Sequence, residues 1–341
     1  RFGDVLLQEY FDGQGVGVEL IAHCGKIVYA FQHRRLHEVP LTGGGSSLRK
    51  SEAVLPQLLQ ASRELVAALN WNGVAMVEFK HDPVSEDFCL MEINGRFWGS
   101  LPLADAAGVD FPSMLLDLEL QGQVGPCKPY RENIFCRLLS RDLGWYEAVL
   151  RGDARNKIVR IPPMPEVLRE LGIIFSPRHN YDVQSIRDPL PGVIDLQRII
   201  LSYARRLSAR FGEMKFKREQ QQRWSKGEVE RAVASADSML FLCYGNINRS
   251  ALADVMIRAY AEDSGIGVTS CGFHQEEGRR ADPVMSEVAA DNGLDMTKLS
   301  STLVTADMVA GSDIIFVMEK SHYDRLSHLC PDAVDRIYLL G

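Results

Sequence analysis

Short apolar runs closed by turn residues fill the amino-terminal third of the chain and predict five β-strands. They cover residues 5–11, 16–22, 26–33, 74–79 and 88–94. Between the strands, residues 52–69 repeat leucines at helical spacing, which predicts an amphipathic helix packed on a core. The glycine-rich segment 43–47 is compatible with a surface turn or with a phosphate-binding loop, and the sequence does not separate the two.

Longer helical patterns replace the strands in the middle of the chain. Residues 130–150 show mostly helical spacing, and a helix predicted to begin near Gly192 carries an apolar stripe. The stripe consists of Val193, Leu196, Ile199, Ile200, Tyr203, Leu207 and Phe211. Arginines on the other side are compatible with a membrane surface or a partner, but a docked helix with a solvated face is the simpler interpretation. The polar residues 215–230 predict a linker or an exposed helix.

The carboxy-terminal third alternates strands with helices, which is typical of a doubly wound parallel sheet. Strands are predicted at residues 239–242, 267–270, 313–318 and 336–340. The whole pattern therefore predicts an α/β multidomain protein. Its parts are an α+β domain at residues 1–120, a mostly helical connector at 121–236 and a parallel-sheet domain at 237–341.

Composition and charge narrow the function classes only a little. The net charge of −7 gives no reason to expect nucleic-acid binding by bulk attraction, and no apolar run is long enough to span a membrane. Seven cysteines without paired or metal-ligand spacing indicate reduced thiols and predict a cytoplasmic protein. Because the chain begins at Arg1 rather than at Met, we expect it to be a fragment.

The most informative stretch lies where the first carboxy-terminal strand meets its helix. Cys243 ends the strand, Arg249 and Ser250 open the helix, and a short loop of Tyr244, Gly245, Asn246, Ile247 and Asn248 connects them. Successive loop N–H groups and the helix N-terminus can converge there on an anion. Arg249 can grip two phosphate oxygens, and the positive surroundings favour the thiolate form of Cys243. The pattern predicts a phosphate-binding loop that contains its own nucleophile; the alternative is a buried structural cysteine.

This loop resembles that of the low-molecular-weight protein tyrosine phosphatases, Cys-x-Gly-Asn-x-Cys-Arg-Ser. The resemblance extends over residues 239–341 and includes Ser270-Cys271-Gly272, Ala281-Asp282-Pro283 and the strand at 313–318. It implies a hydrolase that acts on a phosphotyrosine protein or a small phosphomonoester through a cysteinyl-phosphate, without a cofactor. The resemblance also implies catalytic roles for Cys243, Arg249 and Ser250.

Two departures from the family pattern lead to expectations. Asn248 replaces a second cysteine that can protect the nucleophile as a disulfide, so peroxide should oxidise Cys243 irreversibly more readily. The sequence stops at Gly341, before the Asp-Pro pair that supplies the family's general acid, so we expect slow turnover of phosphotyrosine. Two alternatives stay open: arsenate reduction, for which only Cys271 and Cys330 are available as resolving thiols, and a non-catalytic phosphate-binding module.

A second candidate site lies on the predicted hairpin at residues 74–94. Alternation places Glu92 and Asn94 on one face of their strand, and Glu78 on the partner strand can join them. Carboxylate and amide oxygens suit Mg²⁺, and Arg96 follows where it can contact substrate phosphates. The alternative is a pair of acids on the solvated face of an edge hairpin.

The segment Glu92-Ile-Asn-Gly-Arg-Phe-Trp-Gly-Ser is similar to the metal-binding signature of ATP-grasp enzymes of the carbamoyl-phosphate-synthetase-like branch. The resemblance covers roughly residues 1–117. It implies ATP and Mg²⁺ as ligands, with Glu78, Glu92 and Asn94 on the metal and the hinge residues Gln8, Glu9, Tyr10 and Phe11 on the adenine. Gly15 stands where an acid often binds the ribose, although Glu19 follows, and the earlier subdomain of the family is absent. This piece alone is therefore expected not to be a competent ligase.

Overall fold

The computed structural model describes residues 7, 9–152, 161–261 and 265–340. The chain divides into two compact units, Arg1–Leu201 and Ser202–Gly341. Most of the strand predicted at residues 5–11 lies outside the described residues, and its described part, residues 7 and 9–11, is not in a strand. The division into three domains stays a prediction.

A seven-stranded sheet forms the centre of the first unit. Its strands are β1 (Gln14–His23), β2 (Lys26–Val39), β3 (Gly45–Glu52), β4 (Gly73–His81), β5 (Phe88–Asn94), β6 (Phe135–Arg137) and β7 (His179–Tyr181). The order across the sheet is β5-β4-β1-β2-β3-β6-β7, and every neighbouring pair is antiparallel except β6 and β7. The two hairpins predicted from the apolar runs, β1–β2 and β4–β5, are confirmed.

Helices pack on both faces of this sheet. They are α1 (Pro56–Ala68), α2 (Leu101–Ala107), α3 (Phe111–Gln121), α4 (Leu139–Arg151) and α5 (Met164–Gly172), with a 3₁₀ helix at Ile173–Phe175. Strand β1 is buried on both faces because Leu20 packs with Leu58 of α1, whereas Ile21 packs with Phe111 of α3. The helix predicted at residues 52–69 is confirmed as α1.

The connecting region contains strands as well as helices. The helical prediction for residues 130–150 holds for α4 but is wrong for residues 135–137, which form β6 between β3 and β7. Three residues are too few for a periodic signal, so only the neighbouring strands reveal β6. The glycine-rich segment is also not one continuous loop, because β3 already begins at Gly45.

A buried ionic network lies between β2, α4 and α5. His37 Nδ1 is 2.7 Å from Asp142 Oδ1, and His37 Nε2 is 2.9 Å from Glu170 Oε2. Arg137 pairs with the other Asp142 oxygen, and the Trp145 ring stacks on His37 at a centroid distance of 3.5 Å. Burial lowers the pKa of His37, but the hydrogen bonds to the two carboxylates outweigh burial and raise it overall.

One long helix, α6 (Pro189–Ser225), follows, and it begins slightly before the predicted start at Gly192. The predicted docking of its apolar stripe is wrong for several members, since Val193, Ile200, Leu207 and Phe211 are each more than half exposed. Residues 215–225, for which the sequence predicted a linker or an exposed helix, belong to this helix, which ends at Ser225. Its last turns pack on the second unit's sheet through the buried Phe216.

The second unit contains a four-stranded parallel sheet, as predicted. Its strands are β8 (Ser238–Cys243), β9 (Gly267–Gly272), β10 (Ile314–Val317) and β11 (Ile337–Leu339), in the order β11-β10-β8-β9. The helices are α7 (Glu228–Ala234), α8 (Arg249–Tyr260), α9 (Pro283–Asp291), α10 (Ala306–Ala310) and α11 (Lys320–Leu329), with a 3₁₀ helix at Pro331–Arg336. Within the described ranges, no helix is long and apolar enough to cross a membrane.

Candidate active site

The predicted phosphate loop lies between the end of β8 and the start of α8. Strand β8 lies between β10 and β9 in the sheet. The loop follows the last residue of β8 and is therefore at the carboxyl edge of the sheet, where ligands of open parallel sheets bind. Cys243 is buried, whereas Arg249 and Tyr244 are about half exposed. The sulfur atom therefore lies at the buried bottom of the loop, and Arg249 and Tyr244 lie at its solvent-exposed mouth.

Polar groups of the loop converge on the sulfur of Cys243. The Asn246 N–H donates to Cys243 Sγ at 3.2 Å, and Ser250 Oγ lies 3.0 Å from the same atom. The Asn246 amide donates to Ser250 Oγ at 3.1 Å, which fixes the position of the hydroxyl. The Asn246 N–H is a donor to the sulfur, whereas either atom of the Cys243–Ser250 pair could be the donor, because the Ser250 hydroxyl is also 3.3 Å from the carbonyl oxygen of Cys271.

Contacts to neighbouring segments hold the loop carbonyls away from the sulfur. The carbonyl of Tyr244 accepts hydrogen bonds from the N–H groups of Phe273 and His274 at 2.8 and 2.9 Å. The carbonyl of Gly245 accepts from Arg279 Nη2 at 2.6 Å. Because the N–H and C=O groups of a peptide point in opposite directions, carbonyls fixed outward leave N–H groups for an anion at the centre.

Two positions have demanding backbone requirements. Asn246 has a φ of 50°, in the left-handed region that asparagine tolerates. Gly245 is not among the residues with positive φ. Gly272 on β9 is needed for a close approach, because a methyl group there would lie 2.7 Å from the Tyr244 carbonyl oxygen and 2.9 Å from the Asn246 nitrogen.

Arg249 is held at the mouth of the loop by a residue that sequence reasoning missed. Its Nη1 lies 2.5 Å from Glu319 Oε1, and this hydrogen bond holds the pKa of the Glu319 carboxyl below its usual value. Glu319 follows β10, so it occupies the carboxyl edge beside the loop. The position of Glu319 directly after a predicted strand could have identified it as a residue of the site. Arg279 and Gly272 also contact the loop, but nothing in the sequence around them indicated this.

The nearest other cysteine points away from the loop. Cys271 pairs with Leu242 and packs with it in the core, whereas Cys243 pairs with Gly272. Because successive side chains of a strand alternate between faces, the Cys271 thiol is directed to the other side of the sheet from Cys243. Burial, followed by the nearby Cys243, raises the pKa of Cys271 to about 12, which suits an inert thiol.

In the first unit the predicted metal residues lie together. The Asn94 amide nitrogen is 2.8 Å from Glu92 Oε1 and 3.2 Å from Glu78 Oε1, so all three side chains share one face of the β4–β5 hairpin. Glu78 also pairs with Arg35 at 2.5 Å. Among the described residues, no group of three or more His, Cys, Asp or Glu side chains could hold a metal, so any metal here needs the Asn94 amide oxygen.

The other predicted nucleotide residues surround the same hairpin. Gln8 lies outside the described residues, but Glu9, Tyr10 and Phe11 line a cavity of about 600 Å³ together with Glu78 and Glu92. Arg96 lines a separate cavity that also reaches the acidic side chains. Glu19, noted as a possible replacement for a ribose-binding acid, is instead fully buried beside His33 and Ser100.

Comparison with known families gives two matches. Residues 238–341 match the family described as low molecular weight phosphotyrosine protein phosphatase. Residues 1–138 match the family described as ATP-grasp in the biosynthetic pathway with Ter operon.

Individual relatives cover the carboxy-terminal part. The probable low molecular weight protein-tyrosine-phosphatase AmsI of Erwinia amylovora is 33% identical over 105 residues, which are 31% of this chain and 72% of that protein. The low molecular weight protein-tyrosine-phosphatase Wzb of Escherichia coli (strain K12) is 30% identical over 105 residues, 31% of this chain and 70% of that protein. The crystal structure of Erwinia amylovora tyrosine phosphatase AmsI has 32% sequence identity, covers 30% of this chain and 68% of that chain, and gives a TM-score of 0.29.

Proposed function

This chain belongs to the low molecular weight phosphotyrosine protein phosphatase family, and from this we propose that it hydrolyses phosphotyrosine, in a protein or as a small phosphomonoester, through a cysteinyl-phosphate on Cys243. The observation that carries the proposal is the convergence of the Asn246 N–H and the Ser250 hydroxyl on Cys243 Sγ. A cysteine thiolate at this position can attack phosphorus as a nucleophile.

The proposed reaction has two displacements at phosphorus. In the first, the Cys243 sulfur forms the S–P bond while the bond from phosphorus to the phenolic oxygen breaks, and the departing phenolate takes up a proton from water. In the second, water attacks phosphorus, the S–P bond breaks and inorganic phosphate leaves, which restores the thiolate. Loop N–H groups hold the phosphoryl oxygens throughout.

Arg249 holds the phosphoryl group in this scheme. Glu319 engages only Nη1 of the guanidinium, so Nε and Nη2 are left for two phosphoryl oxygens. The Glu319 contact favours the rotamer that places the Arg249 guanidinium at the mouth of the loop, so the grip is partly prepared before substrate arrives. Glu319 is therefore a positioning residue for Arg249.

Arg249→Lys tests the proposal. A lysine ammonium cannot form the bidentate grip, so turnover of p-nitrophenyl phosphate should fall roughly 10²–10³-fold. Arg280→Lys is the matched control, because Arg280 is an exposed arginine of the same unit whose side chain makes no hydrogen bond or ion pair with another described residue, and its turnover should stay unchanged. Equal activity of the two variants would refute the role given to Arg249.

The two alternatives predict different readouts. Arsenate reduction needs a thiol that can resolve an intermediate on Cys243, and the Cys271 thiol is directed to the opposite face of the sheet. A non-catalytic module would bind phosphate without turnover. Steady release of p-nitrophenol supports the phosphatase, binding without release supports the module, and thiol-dependent loss of arsenate supports reduction.

For the amino-terminal part we propose binding of ATP with Mg²⁺. The oxygen-rich set of Glu78, Glu92 and Asn94 fits a hard cation, which would bridge to nucleotide phosphates, and Arg96 would contact those phosphates. Glu92→Gln should weaken Mn²⁺ binding, measured by water-proton relaxation, whereas Glu86→Gln in the exposed β4–β5 turn should not. Equal Mn²⁺ affinities in both variants would contradict this assignment.

The compartment is also a proposal. All seven cysteines are free thiols. A reducing compartment keeps thiols in this state, so we retain the cytoplasm as the expected location.

A further inference from the structure

One arginine outside the phosphate loop bonds to a loop carbonyl with its charge not neutralised. Arg279 donates from Nη2 to the Gly245 carbonyl at 2.6 Å, and its Nε donates to the Glu276 carbonyl at 3.1 Å. In the part of the chain that the structure describes, Arg279 forms no ion pair with a carboxylate. Arg249 at the loop mouth is instead paired with Glu319. Of these two arginines, Arg279 is the one that brings an uncompensated positive charge to the loop.

The carbonyl that Arg279 holds belongs to the same peptide unit as the N–H that contacts the nucleophile. The Gly245 carbonyl and the Asn246 N–H are the two polar ends of one planar peptide. This N–H donates to Cys243 Sγ at 3.2 Å. Because the peptide is planar, a carbonyl fixed toward the guanidinium fixes the N–H toward the sulfur. A hydrogen bond from a cation also polarises the peptide, which makes its N–H a stronger donor.

Two other loop carbonyls are held by neutral donors. The Tyr244 carbonyl accepts from two backbone N–H groups that follow β9, and the Ile247 carbonyl accepts from the Asp282 N–H at 3.0 Å. Neutral N–H groups orient a carbonyl but add no net charge. The peptide that bonds to Cys243 is therefore the one that a charged side chain holds.

The backbone that carries the Arg279 side chain is itself fixed. The Arg279 N–H donates to Ser301 Oγ at 3.0 Å, and the Arg279 carbonyl accepts from the Ser301 N–H at 2.8 Å. Ser301 is buried and Arg279 is half-buried. A charge in this position is screened by salt less than a fully exposed one. The contact to the Gly245 carbonyl is therefore anchored at both ends.

We propose that Arg279 is a positioning residue for the Cys243 thiolate and acts through the Gly245–Asn246 peptide. The inference rests on the proposed phosphatase function, because it gives this peptide a role in both displacements at phosphorus. In the first displacement, the N–H stabilises the thiolate that attacks. In the second, it stabilises the same charge as the S–P bond breaks and the electron pair returns to sulfur. Loss of Arg279 should therefore leave a larger fraction of Cys243 phosphorylated during turnover.

Alkylation of Cys243 by iodoacetamide, followed by peptide mass spectrometry on the full chain, tests the inference without turnover. Because the thiolate is the reactive form, Arg279→Gln should slow this alkylation about tenfold at acidic pH, the low end of the effect of a hydrogen bond to a charged group. At alkaline pH, where the thiol ionises without help, the rates of the variant and the parent should converge. Arg279→Lys keeps the charge and should recover most of the rate at acidic pH.

Arg280→Gln is the matched control, because the neighbouring Arg280 is exposed and its side chain makes no hydrogen bond or ion pair with another described residue. The exposed Cys24 of the first unit is an internal reference for the reagent. Equal alkylation of Cys243 in the parent and in Arg279→Gln at acidic pH would overturn the inference. Equal slowing by Arg279→Gln and Arg279→Lys at every pH would also overturn it, because the cause would then be a disturbed loop rather than a lost charge.

The same samples separate this inference from the function on which it rests. If the parent does not turn over p-nitrophenyl phosphate, the proposed function fails, but alkylation still decides whether Arg279 acts on Cys243. If turnover is normal and Arg279→Gln alkylates like the parent, only the role of Arg279 fails.

Discussion

The two candidate sites are built in opposite ways. The phosphate site uses a single stretch, residues 243–250, whose backbone and side chains surround one sulfur atom. The cavity of the first unit uses side chains from β2, β3, β4 and β5 and from α4. The functional groups of a site made by one segment are brought together by that segment itself, and the rest of the fold only supports it. A site made by several strands forms only when those strands pair in the correct register.

The residues that hold the two sites in place also differ. Neighbouring segments contact mainly backbone atoms of the loop, so different side chains at the loop positions could be accommodated. Beside the cavity, the β2–α4–α5 packing depends on a buried network of named side chains centred on His37. Substitutions should therefore damage activity in the second unit and stability in the first.

Cys243→Ala should give the largest effect. Removing the nucleophile should lower p-nitrophenyl phosphate turnover by at least roughly 10⁴-fold, because the remaining loop binds phosphate but cannot form the covalent intermediate. The urea midpoint should stay close to that of the parent. Cys330→Ala, on a cysteine remote from the loop, is the control; a similar loss there would indicate that the assay reports folding rather than chemistry.

His37→Ala should be the most damaging change in the first unit. It leaves the buried carboxylate of Asp142 and that of Glu170 without their shared partner, which should lower the free energy of unfolding by about 3–5 kcal/mol. Trp145 fluorescence during urea unfolding measures this, because its ring stacks on His37. Turnover by the second unit should persist; loss of both together would break the contrast between the units.

Gly272→Ala should disturb the loop with a smaller effect. The added methyl group would press on the Tyr244 carbonyl and the Asn246 nitrogen, both of them backbone groups, so the loop must shift. We expect kcat to fall about 10²-fold, since misplaced groups cost catalysis steeply. Gly99→Ala is the control, because a methyl group there would contact no neighbouring atom. Gly278→Ala would be unsuitable, because Gly278 has a positive φ that disfavours alanine. Full activity of Gly272→Ala would mean that the loop is not held against β9.

pH should act on the first unit through His37. Its pKa in the folded state is raised above the ordinary value of 6.5, so its stabilisation is complete below that pH and declines as pH rises through the folded-state pKa. The first unit's urea midpoint should therefore decrease as the pH rises above 6.5. His37→Gln, which does not titrate, should flatten this dependence; an identical slope would exclude His37 as its source.

The strand before the loop and the helix after it were predictable from the sequence because the three segments are adjacent in the chain. Sequence reasoning missed Glu319, which reaches Arg249 only after β10 takes its place beside β8. In the first unit, the proximity of Glu78, Glu92 and Asn94 was predictable because all three belong to one hairpin. The His37 network was not predictable, because His37 on β2 meets Asp142 and Glu170, which lie more than 100 residues further along the chain, only after α4 and α5 have packed beside it.

The central claim is that the loop forms a covalent phosphate on Cys243. Rapid acid quenching after mixing with p-nitrophenyl phosphate, followed by peptide mass spectrometry, tests it most directly. We predict a transient phosphate on the peptide containing Cys243, formed as p-nitrophenol appears and absent in Cys243→Ala. Steady turnover with that peptide unmodified, or phosphate on a different residue, would contradict the claim.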